Sequence, residues 1–180
     1  MTSSAGNDRV FWTSALAVIV LDVVTKWLAV RYLGVGIPYH VIGNVARFTL
    51  AFNPGAAFSM FLGRYSRYIF GAFAVAALVI LWRLFRTTAP GDFARVLALG
   101  LAWGGAAGNL VDRVHSPRGV VDFIDIGFGN VRFWTFNVAD SAVTVGAFLL
   151  AFVLWQEDRL ALSRTAAEAA ARDTAPFSTS

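Results

Sequence analysis

The chain has 180 residues, of which 57% are hydrophobic and 14% charged, with a mean hydropathy of +0.62; soluble domains run nearer roughly 45–50% apolar and about 25% charged. That balance excludes an ordinary water-soluble fold and leaves a single domain with the bilayer as its solvent. The net charge of +4 does not mark a nucleic-acid binder, because the basic residues are scattered singly, and the absence of cysteine excludes disulfides, thiolate metal sites and a Cys nucleophile.

Residues 1–9 are polar and read as a loose N-terminal tail. The apolar segment from Val10 to about Leu33 is long enough to span a bilayer, which takes roughly 20 residues. It exceeds the h-region of a signal peptide, contains Asp22 and Lys26, and has no A-x-A site after it, so it reads as a retained helix. Gly34, Gly36 and Pro38 end it, and the mixed β-branched and aromatic run that follows predicts a strand-forming excursion at the membrane surface, closed by the turn-rich NPGAAF at 53–58. A second span is expected at about Tyr65–Phe85. A third, rich in Gly and Ala as a closely packed helix would be, lies at about Phe93–Val111. Residues 114–136 form a second surface excursion, and a fourth span runs from about Val138 to Trp155. Beyond it the Ala-rich stretch 160–172 reads as an amphipathic helix and TAPFSTS as disordered. The expected architecture is therefore an all-α integral membrane protein of four transmembrane helices with a small β-like surface excursion.

Four alternating spans bring the end of the first, the start of the second, the end of the third and the start of the fourth to one membrane face. Asp22 and Lys26, Asn53, Asn109, Asp112 and Arg113, and Asn137 and Asp140 all occur there. Leaving Lys26 aside, seven arginines fall on each side, so charge does not orient the chain. Gly108–Asp140 alone carries four of the eleven acidic residues, and carboxylates near a bilayer are expensive enough to signal function.

Asp122 and Asp140 are candidates for paired-carboxylate chemistry, in which the pair shares a proton, one member activating water and the other polarising a carbonyl. Each has a plainer reading. Asn137 and Asp140 are spaced as a capping box for the fourth helix, while Asp122 and Asp125 could be surface charges on a loop. Asn109, Asp112 and Arg113 share a helix face and could form a local polar cluster. Asp22 and Lys26, at i and i+4, could simply neutralise each other. Lys26 is the only lysine, but no serine is tied to it as in a Ser–Lys protease, and His40 and His115 are isolated, so no metal-ligand set is legible.

Taken together, D-x-x-x-K at Asp22–Lys26, N-x-GAAF at Asn53–Phe58, GNLxDRV at Gly108–Val114, VVDF at Val120–Phe123 and FNxADS at Phe136–Ser141 resemble, in order, the motifs of the lipoprotein signal peptidase (signal peptidase II) family. The resemblance covers about residues 10–156; the loop HSPRG is slightly long for the family and Asp125 lies outside its motifs. It implies a four-helix membrane aspartic endopeptidase of the bacterial inner membrane, acting with neither metal nor cofactor. The implied substrates are prolipoproteins, cut before a cysteine that carries a diacylglyceryl group. By motif match, Asp122 and Asp140 take the catalytic places, and Asn53, Asn109, Asp112, Arg113, Asn137, Asp22 and Lys26 support the site. The resemblance also implies that residues 1–9 and 157–180 are cytoplasmic tails, with the catalytic side facing outward. Membrane lipids and the prolipoprotein are the expected partners; nucleic acid is not.

The chemistry suits that reading, with Phe48, Phe52, Phe128, Phe133 and Trp134 on the excursions as a clamp for the lipid-modified substrate. The competing class, a proton-coupled transporter or lipid flippase, calls for mid-bilayer acids and symmetric halves, and neither is visible. Between the two aspartates, Asp140 at a helix N-terminus is the expected ionised member and Asp122 the protonated one. With no ligand set in the chain, cleavage should survive EDTA; loss on chelation that zinc restores would contradict this chemistry.

Overall fold

The computed structural model describes residues 5–55, 65–128 and 131–173. In chain order the elements are α1 (Ala5–Tyr32), β1 (Tyr39–Ile42), β2 (Ala46–Asn53), α2 (Ser66–Thr87), α3 (Phe93–His115), β3 (Val120–Phe128), β4 (Val131–Arg132) and α4 (Val138–Asp173). All four helices are long and apolar enough to cross a membrane. The two excursions join into one antiparallel sheet of order β1-β2-β3-β4.

The buried residues of α1 are Asn7, Phe11, Ala15, Val18, Asp22, Lys26 and Ala29. They recur every three or four positions and so make one stripe along the helix. Leu16, Val20, Val24 and Trp27 on its other sides are exposed, as suits a lipid-facing surface. The buried stripe meets α3, the helix that packs against all three others. Small residues allow this. A Cβ on Gly104 would lie 2.7 Å from the Ala15 carbonyl oxygen, and one on Gly105 would strike Ala139 and Val143 of α4.

The bundle is tied at the end opposite the polar residues. Phe11, Phe85, Val96 and Leu99 form a buried cluster there, with the Phe11 and Phe85 rings stacked 4.1 Å apart. Asn7 is fully buried, donating to the Ala89 carbonyl (2.9 Å) and accepting from the Gly91 amide (3.1 Å). The expected loose tail at 1–9 is therefore helical from Ala5 onward, because Asn7 fastens the start of α1 to the α2–α3 turn. Likewise the helix expected at 160–172 is the unbroken continuation of α4, whose 36 residues span about 54 Å, well beyond a hydrocarbon core of about 30 Å. The turn expected at 56–58 of NPGAAF and the disorder expected of TAPFSTS lie outside the described residues.

Two local features place the sheet over the site end of the bundle. Between Phe48–Ile124 and Ala51–Asp122 the β2–β3 register slips by one residue, a bulge that re-aims every later side chain of β2. Asn53 thereby shares a face with Asp122. Gly119 then turns into β3 with φ of +97°, where a Cβ would lie 2.2 Å from the Asn53 carbonyl oxygen, so only glycine lets the strands meet there.

Gly104→Val should lower the thermal midpoint in detergent markedly, since overpacking costs about 1–3 kcal/mol. Gly71→Ala on α2, where a Cβ meets nothing within 4 Å, should leave it unchanged or raise it. Equal midpoints for Gly104→Val and the unmodified protein would rule out so close a helix contact.

Candidate active site

The site is built outward from Lys26, which is 4% exposed. Its ammonium contacts Asp22 at 2.6 Å, Asp112 at 2.8 Å and the Asn109 side-chain oxygen at 3.0 Å. An ammonium has three donors and no acceptor, and here three oxygens surround it. Each acceptor does a second job: Asp22 accepts the Ala139 amide at the start of α4 (2.9 Å), and Asp112 accepts the Val121 amide of β3 (3.1 Å). Mutual neutralisation of Asp22 and Lys26 is thus only part of their role. The cluster of Asn109, Asp112 and Arg113 is not merely local either, because Asn109 and Asp112 find partners on α1, α4 and β3.

Because Lys26 offers only donors, Asn109 must turn its oxygen to it, leaving its NH2 for Asp140 Oδ1 at 2.7 Å. Asn137 is oriented in the same way. Its Oδ1 accepts the Asp140 amide at 2.8 Å, and its Nδ2 donates to Asp122 Oδ1 at 2.7 Å. Asp140 Oδ2 in turn accepts the Asn137 amide at 3.3 Å. That reciprocal pair is the capping box of the plainer reading, and it holds together with the paired-carboxylate reading. Asn53 also hydrogen-bonds Asp122, while its own Oδ1 accepts from the Gly55 amide (3.0 Å).

Asp122 is 3% exposed and lies on β3, so the alternative of a surface charge on a loop is corrected. Burial, then the charge of Asp140, pushes its carboxyl up to about 7, against the opposing pull of Asn53, Asn137 and Lys26. Asp125 is also buried, at 5%, but three residues along a strand it points to the opposite face from Asp122. Burial raises the Asp125 carboxyl, yet hydrogen bonds from Arg132, Arg47 and Thr49 outweigh this and hold it below the ordinary carboxylate range. A lowered value means a stabilising contribution present above about pH 4 and lost as the pH falls through it.

A cavity of about 720 Å³ opens beside the two carboxyls. Asn53, Asn109, Arg113, Asp122 and Asp140 supply its polar floor; Phe52, Phe70, Phe73, Phe133, Trp134, Phe136 and Val143 supply apolar walls. Arg113 donates to the Asn109 backbone carbonyl at 3.1 Å. Phe52, Phe133 and Trp134 thus stand where a clamp was expected, but Phe48 and Phe128 do not. Phe48 packs on Phe123 instead, and Phe128 is 74% exposed at the end of β3.

Residues 14–156 match the family model described as signal peptidase (SPase) II. The chain belongs to the signal peptidase II family. It is 44% identical over 141 residues to the lipoprotein signal peptidase of Geobacillus kaustophilus, covering 78% of this chain and 88% of that one. With the lipoprotein signal peptidase of Polynucleobacter necessarius subsp. necessarius it shares 40% over 156 residues, covering 84% and 91%. A bacterial membrane enzyme solved at 2.3 Å superposes with a TM-score of 0.75 at 30% identity, covering 82% of this chain and 88% of that one. The chain is accordingly a multi-pass membrane protease of the aspartic class that performs the signal peptidase II function.

Within this signal peptidase II fold, Asp22, Lys26, Asn53, Asn109, Asp112, Arg113, Asp122, Asn137 and Asp140 lie in one connected network or line the cavity, whereas Phe48, Asp125 and Phe128 do not. What sequence reasoning missed is the α2 wall, Phe70 and Phe73, because an aromatic residue in an apolar span carries no mark of facing a cavity. The partnership of Asp125 with Arg47 and Arg132 was also missed, because both partners arrive from other strands.

The raised Asp122 carboxyl gives a spectroscopic expectation. Infrared spectra of the resting enzyme should show a protonated carboxyl band near pH 6 that fades through about pH 7, and Asp122→Asn should lack it. An unchanged band in that variant would assign the proton elsewhere.

Proposed function

We propose that Asp122 and Asp140 are the catalytic pair, and that the substrates are prolipoproteins cut just before a diacylglyceryl-modified cysteine. The observation that carries this is the Asn137 bridge. One side chain caps the helix bearing Asp140 and hydrogen-bonds Asp122, at the polar floor of an otherwise apolar cavity. Family membership supports the substrate class, since the named relatives are lipoprotein signal peptidases.

In the proposed reaction, ionised Asp140 takes a proton from water as the water oxygen attacks the scissile carbonyl carbon. Protonated Asp122 hydrogen-bonds the carbonyl oxygen and passes its proton to it, giving a neutral gem-diol. Return of a proton from Asp140 to the amide nitrogen breaks the C–N bond, and the gem-diol closes to the carboxylic acid as Asp122 recovers its proton. Asp140 suits the ionised role because it stands at the N-terminal end of α4 among N–H donors, where negative charge is favoured by about 0.3–1 kcal/mol. Asn53, Asn109 and Asn137 hold the pair, with Asp22, Lys26 and Asp112 buttressing them from behind, while Asn53, Asn109 and Arg113 face the peptide. The cavity reaches from the aspartates to α2 and α4, each of which packs chiefly on α3. Phe73, 63% exposed, belongs both to the cavity and to the outer surface of α2. Such a gap lets a lipid remain in the membrane while the peptide reaches the pair. In the proposed orientation both termini are cytoplasmic and the sheet lies on the outer side.

Asp122→Asn and Asp140→Asn should each abolish cleavage of a diacylglyceryl-modified prolipoprotein by the purified enzyme, and full turnover by either would sink the assignment. An unlipidated precursor should be cut far more slowly; equal rates on both forms would remove the lipid from the recognition.

A further inference from the structure

The aspartate that the family motifs leave out is the most fully bonded carboxylate in the sheet. Asp125 Oδ2 accepts from Arg47 Nε at 3.0 Å, Arg47 Nη2 at 2.7 Å and Thr49 Oγ1 at 2.9 Å, all from β2. Its Oδ1 accepts from Nε of Arg132, on β4, at 2.8 Å and lies 2.6 Å from Arg132 Nη2 as an ion pair. Arg132 also donates to the Asp125 backbone carbonyl at 2.9 Å and to the Asn44 carbonyl in the β1–β2 turn. Planar guanidinium forks are locked in orientation by contacts of this kind. One buried carboxylate therefore ties β2, β3, β4 and the β1–β2 turn together, on the sheet face away from Asp122.

The chain leads directly from β4 to the cavity. β4 has two residues and pairs only with β3, through Gly127–Arg132 and Phe128–Val131. Gly127 has no side chain to grip its partner, and the next residues, Phe133 to Phe136, form one cavity wall. That wall is held by the Phe133 amide on the Ile126 carbonyl (2.8 Å) and by mutual bonds of Ile124 and Phe136. Its entry point, Arg132, is held in place largely by Asp125.

We propose that Asp125 is a positioning residue for substrate capture: through Arg132 it fixes the cavity wall Phe133–Phe136 that grips the lipid-modified substrate, without touching the catalytic pair. The proposal rests on the signal peptidase II reading of the cavity. It separates Asp125 from Asp122, because loss of a binding wall raises KM while the chemistry of bound substrate continues.

The experiment compares Asp125→Asn and Arg132→Lys in the purified, full-length enzyme with a diacylglyceryl-modified prolipoprotein. Both variants should raise KM by about tenfold and keep kcat within about twofold. Amide exchange at 131–136 should accelerate in both, with α3 unchanged. A fall in kcat at constant KM, or unchanged KM and exchange, would overturn the proposal. If Asp125→Asn does not fold, Arg132→Lys decides alone, since it keeps the charge and removes only the fork. If the unmodified enzyme cleaves no prolipoprotein, the substrate reading fails instead, and the exchange data still decide whether Asp125 holds the wall.

Discussion

One buried ammonium organises this end of the molecule. Lys26 is the chain's only lysine, and inside a membrane a charge persists only if its donors are filled. Asp22, Asp112 and Asn109 fill them. Removing Lys26 would leave buried Asp22 without its ion-pair partner beside half-buried Asp112, a change on the order of 3–5 kcal/mol for a broken buried pair. The same contacts set the positions of other elements. Asp22 holds the first turn of α4, and Asp112 holds the start of β3. The two segments that carry Asp122 and Asp140 are thus both anchored to carboxylates paired with Lys26.

Orientation passes along this network as hydrogen-bond polarity. A donor-only ammonium turns the Asn109 oxygen inward and its NH2 outward to Asp140, and the backbone amide of Asp140 does the same for Asn137 and Asp122. Two amide side chains that could each sit either way round are left with one orientation. Both candidate catalytic carboxyls then face donors set before substrate arrives, which is how preorganised sites avoid reorganisation during reaction.

The two ends of the bundle differ for a simple packing reason. At one end Phe11 and Phe85 stack and pack against Val96 and Leu99 among tryptophans. At the other, α1, α3 and α4 stay together through glycine contacts and the Lys26 network, while α2, tethered to the end of α3 by Arg67, leaves a gap lined by Phe70 and Phe73. The gap is the cavity, roofed by a sheet whose bulge and Gly119 turn bring Asn53 beside Asp122.

Four spans, two surface excursions and the polar residues of the site were legible in the sequence. Hydrophobic runs of membrane length leave little choice of element, and alternating crossings force the helix ends that carry Asp22, Asn109, Asp112 and Asp140 to one face. The expectations that failed concern what residues far apart in the chain do to one another. Nothing near residue 7 says that Asn7 will be buried against Ala89 and Gly91, so a helical start looked like a loose tail. A one-residue slip in strand register decides which side chains share a face with Asp122, and register is a property of two paired strands. Local spacing likewise could not separate a surface Asp125 from a buried one, because its partners Arg47 and Arg132 arrive from other strands. The sequence by itself determined which residues are too costly to place in a membrane without a purpose. Only the tertiary structure decided which of them meet, because hydrogen bonds and ion pairs act over a few ångströms between groups that folding brings together.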